Sequence, residues 1–198
     1  MHDCLRAKCF ILGSQYCGKT AIVQSFCSDG RDFSKNYRMS TSVEFIVKTV
    51  TIPEVNGSIE LFLYDVPGQE VFHDLINNYI NEANLIVVVF DVTDSQSFSN
   101  AEVTLAEFRK SLNDIRIPGM HNFSSYMRNL VALVGNKTDI KSRRVITMEK
   151  AQQLANDLNI PYFETSAKEA SGIEVPFLYL IKEYYELYKN AIRDYQAL

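Results

Sequence analysis

The stretch Gly13-Ser14-Gln15-Tyr16-Cys17-Gly18-Lys19-Thr20 decides the fold of this chain. It has the spacing GxxxxGKT, and it lies directly after an apolar run at residues 9–12 and directly before a helical pattern at residues 19–28. A loop of this kind between a strand and a helix presents backbone N–H groups and the positive end of a helix dipole to phosphates. The alternative is a glycine turn with a surface lysine, and the context on both sides argues against it. The stretch is therefore predicted to be a P-loop.

Two side chains of this loop are suited to phosphate chemistry. The Lys19 ammonium can place a positive charge at the β- and γ-phosphates, where it would serve both binding and catalysis. The Thr20 hydroxyl is a ligand for Mg²⁺. The predicted phosphate-binding segment runs from Gly13 through Thr20 and includes Ala21.

Short β-rich runs alternate with helical patterns through the rest of the chain. Strands are predicted at residues 9–12, 43–47, 59–64, 85–90, 130–134 and 162–163, and helices at 19–28, 71–80, 97–112, 147–158 and 174–195. Ser97 and Thr147 are the predicted N-caps of two of these helices. The Asn56-Gly57 pair predicts a hairpin between the second and third strands. The pattern predicts an α/β fold with a six-stranded, mostly parallel sheet and helices on both faces.

Composition limits the classes of function. The 198 residues suit one domain, and the net charge of −4 leaves no basic excess for nucleic-acid binding. Four cysteines occur within the first 27 residues without zinc-ligand spacing, which favours reduced thiols in the cytoplasm. No apolar run is long enough to cross a bilayer. No cysteine follows Cys27, so we expect no C-terminal prenyl anchor.

A second motif, Asp65-Val66-Pro67-Gly68-Gln69-Glu70, ends the third predicted strand. An aspartate at this place can hold Mg²⁺ through water, and the Gly68 N–H can reach a γ-phosphate. An Asp before a Pro-Gly turn is commonplace, so this motif gains its meaning only from the P-loop.

Two further motifs predict which base is bound. Asn136-Lys137-Thr138-Asp139 follows the fifth strand, at the end of the sheet where such folds bind ligands. A carboxylate there can accept hydrogen bonds from both the N1–H and the 2-amino group of guanine, whereas adenine offers no such pair of donors. In Glu164-Thr165-Ser166-Ala167-Lys168 the Ala167 N–H is placed near the guanine O6. The four motifs together predict a site for GTP or GDP with Mg²⁺.

With these four motifs in this order, the chain resembles the Ras superfamily of small GTPases, and within it the Rab branch, over residues 5–190. Residues 37–45, YRMSTSVEF, are similar to the Rab switch I string YxxTIGVDF, and residues 64–70, YDVPGQE, are similar to WDTAGQE. The resemblance implies a P-loop GTPase fold, with residues 1–198 forming a single G domain with an extended C-terminal helix. It also implies GTP hydrolysis. Ser40 stands where a switch I threonine binds Mg²⁺, although Thr41 beside it leaves that assignment open, and Gln69 stands where a glutamine orients the attacking water.

Two departures from the family pattern affect the expected hydrolysis. Gln15 occupies the third position of the P-loop, where glycine leaves space for the catalytic glutamine and an arginine finger. Pro67 fixes a backbone torsion and removes an N–H group at the start of switch II. We therefore expect hydrolysis to occur slowly.

Residues 28–30 and 33, 35–37, 47–50 and 60–62 resemble the divergent Rab-like GTPase subunits of the intraflagellar transport B complex. Those subunits lack a lipidated tail and pair with a small β-sandwich subunit, which implies a protein partner and a place in the cilium or flagellum. Three hypotheses stay open: a GTPase switch, a structural subunit that nucleotide stabilises, and a soluble Rab-like GTPase of vesicle traffic.

The last predicted helix carries an apolar stripe at three- and four-residue steps. Its members are Phe177, Leu180, Ile181, Tyr184, Leu187, Tyr188, Ala191, Ile192 and Tyr195. We predict that the first half, to about Tyr184, packs in the core. We predict that the second half contacts a protein partner, because a Rab-like sheet usually ends near that point.

Overall fold

Strands and helices alternate along residues 4–31, 42–52, 57–68, 83–114 and 130–196, which are the residues that the computed structural model describes. The strands are β1 (Cys4–Leu12), β2 (Glu44–Ile52), β3 (Gly57–Asp65), β4 (Leu85–Asp91), β5 (Val131–Asn136) and β6 (Tyr162–Glu164). The α-helices within these ranges are α1 (Lys19–Cys27), α2 (Ser95–Asp114), α3 (Met148–Leu158) and α4 (Glu174–Gln196), and a short 3-10 helix covers Lys141–Arg143. The predicted helix at residues 71–80 lies outside the described residues.

The strands form one sheet in the order β2-β3-β1-β4-β5-β6. β2 and β3 are antiparallel, with Ile52 opposite Gly57 at the end of the hairpin, and the other neighbouring strands are parallel. The predicted sheet and its antiparallel pair are confirmed. Because the parallel strands point the same way, the loops after β1, β3, β4 and β5 meet at one edge of the sheet.

Helices cover both faces of the sheet. On one face, Phe26 of α1 and Phe177 of α4 pack against Cys9 and Ile11 of β1. On the other face, Phe98 of α2 and side chains of α3 pack with the intervening residues of β1. All residues of β4 and β5 are buried, as expected for strands that are covered on both faces. In the described part of the chain, no helix is long and apolar enough to span a bilayer.

Two strands, β1 and β2, each extend five residues beyond a predicted end. β1 begins at Cys4, five residues before the predicted start, and its first residues pair with Ser58 and the residues after it in β3. In that added part, Arg6 forms an ion pair with Glu60 at 3.0 Å. β2 likewise continues to Ile52. Polar side chains interrupt the apolar pattern in these segments, so only the pairing with β3 reveals them as strands.

The predicted N-cap at Ser97 is wrong. The Asp94 side chain accepts a hydrogen bond from the Gln96 N–H at 2.9 Å, and α2 begins at Ser95. Ser97 lies inside the first turn, where its hydroxyl accepts from the Asp91 N–H at 3.0 Å and donates to the Asp94 carbonyl at 2.8 Å. It therefore fastens the helix to the end of β4. Thr147 is confirmed as the cap of α3, since its side chain accepts from the Lys150 N–H.

The part of the α4 apolar stripe that packs on the core extends further along the helix than predicted, to Leu187 and not only to Tyr184. Phe177, Leu180 and Ile181 are fully buried, and the Phe177 ring stacks on Phe26 with centroids 4.1 Å apart. Tyr184 and Leu187 are partly buried against the same core, which corrects the prediction that Leu187 faces a partner. The added residues of β1 account for this, because Leu5 packs against the same core and the Tyr184 hydroxyl donates to the Arg6 carbonyl at 3.1 Å.

Beyond Leu187, the described side chains of the stripe face solvent. Tyr188 and Ile192 lie one turn apart, and each is 38% exposed. Ala191 and Tyr195 belong to the same helix, and their side chains are outside the described part of the structure. Among the described side chains, the exposed part of the stripe therefore begins at Tyr188 and not at Leu187.

Candidate nucleotide-binding site

Four loops converge at the carboxyl edge of the parallel strands. They follow β1 (residues 13–18), β3 (66–68), β5 (137–140) and β6 (165–168). Each loop contains one of the four motifs that the sequence analysis identified. The fold therefore brings together motifs that are separated by up to about 150 positions in the chain.

Close contacts fix the backbone of the first loop. A Cβ atom added to Gly13 would lie 2.1 Å from the Val89 carbonyl oxygen, and one added to Gly18 would lie 2.3 Å from Nδ2 of Asn136. Both glycines also have positive φ angles, 140° and 94°. Tyr16 is a non-glycine residue with φ of 63°, and its side chain is 60% exposed beside the loop. The loop is thus pressed against β4 on one side and against Asn136 on the other.

The Lys19 side chain folds back and bonds to the start of the P-loop. Its buried ammonium group donates hydrogen bonds to the carbonyl oxygens of Gly13 at 2.9 Å and Ser14 at 2.8 Å. The positive charge therefore lies within the loop, at the start of α1, where backbone N–H groups have no partner inside the helix. Ala21 follows in the first turn of α1. This arrangement suits an anionic ligand.

Thr20 and Asp65 form the part of the site that suits a metal. The Thr20 hydroxyl donates to Oδ2 of Asp65, whereas Oδ1 of Asp65 is buried without a hydrogen-bond partner. Burial raises the pKa of Asp65, and the Thr20 hydrogen bond and the Lys19 charge oppose that shift. A buried carboxylate oxygen without a partner is unfavourable, and a hydrated cation would satisfy it.

The donor set fits Mg²⁺, which keeps several waters and takes few protein ligands beside phosphate oxygens. Within the described ranges, no group of three or more His, Cys, Asp or Glu side chains comes together, so nothing there competes as a metal cage. Ser40, the third predicted metal ligand, lies outside the described residues.

Gly68 lies against the P-loop. A Cβ atom on it would be 2.3 Å from the Gln15 nitrogen and 2.4 Å from the Ser14 carbonyl carbon. The Val66 N–H donates to the Ile11 carbonyl at 3.2 Å, and the Pro67 side chain is buried, so the segment before Gly68 continues along β1. The glycine is thus required at the predicted γ-phosphate position. Gln69, the next residue, lies outside the described part.

The Asn136 side chain joins three of the four loops. Its Nδ2 donates to the Cys17 carbonyl at 2.9 Å, and its Oδ1 accepts from the Ala167 N–H and the Thr165 hydroxyl, each at 3.2 Å. Burial raises the pKa of the neighbouring Cys17 thiol. One buried amide therefore sets the spacing between the P-loop and the predicted base-recognition loops.

Asp139 bonds directly to the loop after β6, at Thr165-Ser166-Ala167. Oδ1 of Asp139 accepts from the Ser166 hydroxyl at 2.8 Å, and the exposed Lys168 ammonium lies 3.7 Å from Oδ2. The Thr138 N–H donates to the Thr165 carbonyl at 3.2 Å. The carboxylate and the Ala167 N–H are consequently held in one rigid arrangement, as recognition of a base edge requires.

Asp91, which is not among the predicted site residues, supports the loop after β5. Its Oδ2 lies 2.7 Å from the Lys137 ammonium, and its Oδ1 accepts from both the N–H and the hydroxyl of Thr93, at 2.8 and 2.7 Å. Lys137 has a φ of 68°, which is an unfavourable backbone angle for a residue other than glycine. The ion pair with Asp91 fixes its side chain. The signal in the sequence was an Asp at a strand end followed two positions later by Thr, which is typical of an Asx turn.

Comparisons with known proteins agree with this architecture. The Ras family model matches residues 8–186. The chain is 39% identical to intraflagellar transport protein 27 homolog of Bos taurus, with 98% of each chain covered. It is 30% identical to intraflagellar transport protein 27 of Chlamydomonas reinhardtii, over 97% of this chain and 90% of the relative. It is 33% identical to Ras-related protein RIC1 of Oryza sativa subsp. japonica, over 89% of this chain and 79% of the relative.

The orphaned oxygen of Asp65 gives a prediction for the nucleotide-free protein. Asp65→Asn is expected to raise the free energy of unfolding near pH 7 by about 1 kcal/mol, because a neutral amide replaces a buried charge while it still accepts from Thr20. Since the pKa of Asp65 is raised above 3.8 on folding, wild-type stability declines as pH rises from the unfolded to the folded pKa. The variant lacks this decline, so its advantage should vanish below pH 4.

Urea denaturation of both proteins across this pH range measures the effect. Asp91→Asn is the matched control. The Asp91 carboxylate has partners in Lys137 and Thr93, so replacing it by a neutral amide should lower the free energy of unfolding of the protein. An Asp65→Asn variant that is less stable than the wild type near pH 7 would contradict this account.

Proposed function

Because the chain belongs to the Ras family of small GTPases, we propose that it binds GTP and GDP at the four-loop site with Mg²⁺ and hydrolyses GTP slowly. We further propose that it acts as a subunit or regulator of intraflagellar transport, the process that the names of its relatives give for those proteins. In this proposal the protein is cytoplasmic and also enters the cilium or flagellum. The observation that carries the nucleotide assignment is the Asn136 side chain, which links the P-loop to both base-recognition loops.

In this proposal each part of the site has a separate task. Lys19 and the N–H groups of residues 13–18 bind the phosphates, and Gly68 donates its N–H to the γ-phosphate. Thr20, Ser40 and Asp65 hold Mg²⁺, which neutralises charge on the phosphate oxygens when bound.

The base side of the site supplies guanine specificity. Asp139 accepts two hydrogen bonds from the guanine edge, and the Ala167 N–H shares its hydrogen between Asn136 Oδ1 and the guanine O6. Asn136 contacts Ala167, and Ser166 and Lys168 contact Asp139, so these side chains fix the two groups. Lys137 follows Asn136 directly and is itself fixed by Asp91. A site built to bind donors in this way rejects bases that lack them.

The geometry around Gln15 supports slow hydrolysis. The Gln15 backbone nitrogen lies beside Gly68, so the third position of the P-loop is next to the predicted γ-phosphate position. This position carries a glutamine side chain where the family pattern has glycine. Buried Pro67 precedes Gly68 and stiffens the start of the segment that carries Gln69. Gln69 can orient the attacking water, but glutamine in place of glycine at the third P-loop position leaves less room for a group supplied by another protein.

Replacement of Asp139 tests the nucleotide assignment. In Asp139→Asn an amide donor faces the guanine donors, so guanosine affinity should fall by about 10⁴-fold and xanthosine nucleotides should bind more tightly than guanosine nucleotides. Titration with fluorescent GDP and XDP measures the preference. Asp157→Asn, at an exposed position of α3, is the matched control. If Asp139→Asn still prefers guanosine, Asp139 is not in the site.

Single-turnover hydrolysis separates the switch hypothesis from the structural-subunit hypothesis. We expect the purified protein to convert bound GTP to GDP, and Gln69→Leu to reduce the rate tenfold or more because the water loses its orienting group. The control measures GTP retention in both proteins, so that nucleotide loss is not mistaken for hydrolysis. Equal rates in the two proteins would favour the structural subunit.

We propose that the exposed end of α4 contacts the protein partner. Tyr188 and Ile192 form an apolar surface one helical turn long, and Tyr188 follows the last side chain of the stripe that packs on the core. By resemblance, the partner is a small β-sandwich subunit of the intraflagellar transport machinery.

The double variant Tyr188→Glu/Ile192→Glu should abolish co-elution with that subunit and leave GDP affinity unchanged, because both side chains are exposed in the isolated domain. Asn190→Glu adds a charge to the opposite side of the same helix and should retain the complex. Retained binding by the double variant would remove the end of α4 from the interface.

A further inference from the structure

Arg144 and Glu164 form a two-point ion pair beside the base-recognition loops. Nη1 and Nη2 of Arg144 donate to Oε1 and Oε2 of Glu164, both at 2.8 Å. Their side chains are 23% and 24% exposed, so solvent screens the pair only in part. Neither residue belongs to the groups that contact nucleotide in the proposed function.

A third residue fixes the carboxylate. The Tyr162 hydroxyl donates to Oε1 of Glu164 at 2.9 Å, and the Tyr162 ring stacks near Phe90 with centroids 6.2 Å apart. A Cβ atom on Gly135 would meet the same hydroxyl at 2.7 Å, so the tyrosine is packed tightly over β5. The Arg144 hydrogen bonds lower the pKa of Glu164, which therefore stays ionised at neutral pH.

The pair connects the two segments that would hold guanine. Arg144 follows the 3-10 helix Lys141–Arg143, which begins two residues after Asp139. Glu164 ends β6 and directly precedes Thr165, whose N–H donates to the Gly135 carbonyl at 2.8 Å. Each partner is thus within a few residues of one of the two groups that recognise the base, and the ion pair adds a connection between their segments to the direct hydrogen bonds of Ser166 and Thr138.

We propose that Arg144 and Glu164 are positioning residues for guanine recognition: their pair holds Asp139 and the Ala167 N–H at the separation that one guanine edge requires. This inference rests on the proposed nucleotide function. The planar fork of arginine suits this task, because two parallel hydrogen bonds fix orientation as well as distance, whereas a lysine would supply charge alone.

The chain contains a matched comparison. Arg6 and Glu60 also pair at 3.0 Å, but through a single contact in which Arg6 is 73% exposed, and both residues lie in strands β1 and β3, away from the loops after β5 and β6. Such exposed pairs contribute little to stability. Arg144→Gln and Arg6→Gln change the net charge by the same amount. A difference between these two variants therefore reports the location and geometry of the ion pair that each one removes.

The experiment compares dissociation rates of fluorescent GDP and fluorescent IDP. Inosine lacks the 2-amino group, so its complex makes only one of the two Asp139 hydrogen bonds. In Glu164→Gln and Arg144→Gln, GDP should dissociate about tenfold faster, the equivalent of one weakened charge-assisted hydrogen bond, and IDP should accelerate less. Arg144→Lys should be intermediate, and Tyr162→Phe should have a smaller effect in the same direction.

Arg6→Gln should leave both rates at the wild-type values. Equal acceleration of GDP and IDP, or GDP rates within twofold of wild type, would overturn the inference, because a purely structural role does not distinguish the two bases. If Glu164→Gln fails to fold, the folded Arg144→Lys variant gives the same comparison. A wild-type protein that binds ADP as tightly as GDP would instead refute the proposed function, which keeps the two failures distinct.

Discussion

The buried amide of Asn136 is the interaction on which the site depends. Its two ends bond in opposite directions, to the carbonyl of Cys17 in the first loop and to the N–H of Ala167 in the last. Because the amide is short and buried, it admits only one separation between these loops. Gly18 must lack a side chain for the same reason, since a Cβ would reach Nδ2 of Asn136. The spacing between the P-loop and the predicted base-recognition loop after β6 is therefore set by one side chain.

Several residues near this amide have locally unfavourable conformations or contacts, which are part of the fixed geometry of the site. Tyr16 and Lys137 both have left-handed backbone angles that usually favour glycine, and Asp65 keeps a buried oxygen without a partner. These unfavourable features occur together at one edge of the sheet, in two loops and at the last residue of β3. The fully buried strands β4 and β5 beneath them supply the packing that tolerates this cost.

The motifs and the apolar strands could be predicted from the sequence because their signals are local. The glycine spacing around Lys19 and the uninterrupted apolar residues of β4 need no knowledge of distant contacts. The start of β1 at Cys4 could not be predicted, since Arg6 and Lys8 break the apolar pattern and only pairing with β3 stabilises it. The Ser97 cap failed because a buried serine bonds to β4 instead. The pairing of Asp91 with Lys137 spans 46 positions and has no local signature.

The burial of Cys17 has a practical consequence for measurement. Thiol reagents react with the thiolate, and Cys17 is fully buried with a raised pKa, so alkylation there requires the first loop to open. Cys27 is only partly buried and provides an internal reference in the same sample. Peptide-resolved alkylation at these two cysteines would therefore report how often the loop opens, without an added label, and ligands that close the loop would register as slower modification of Cys17.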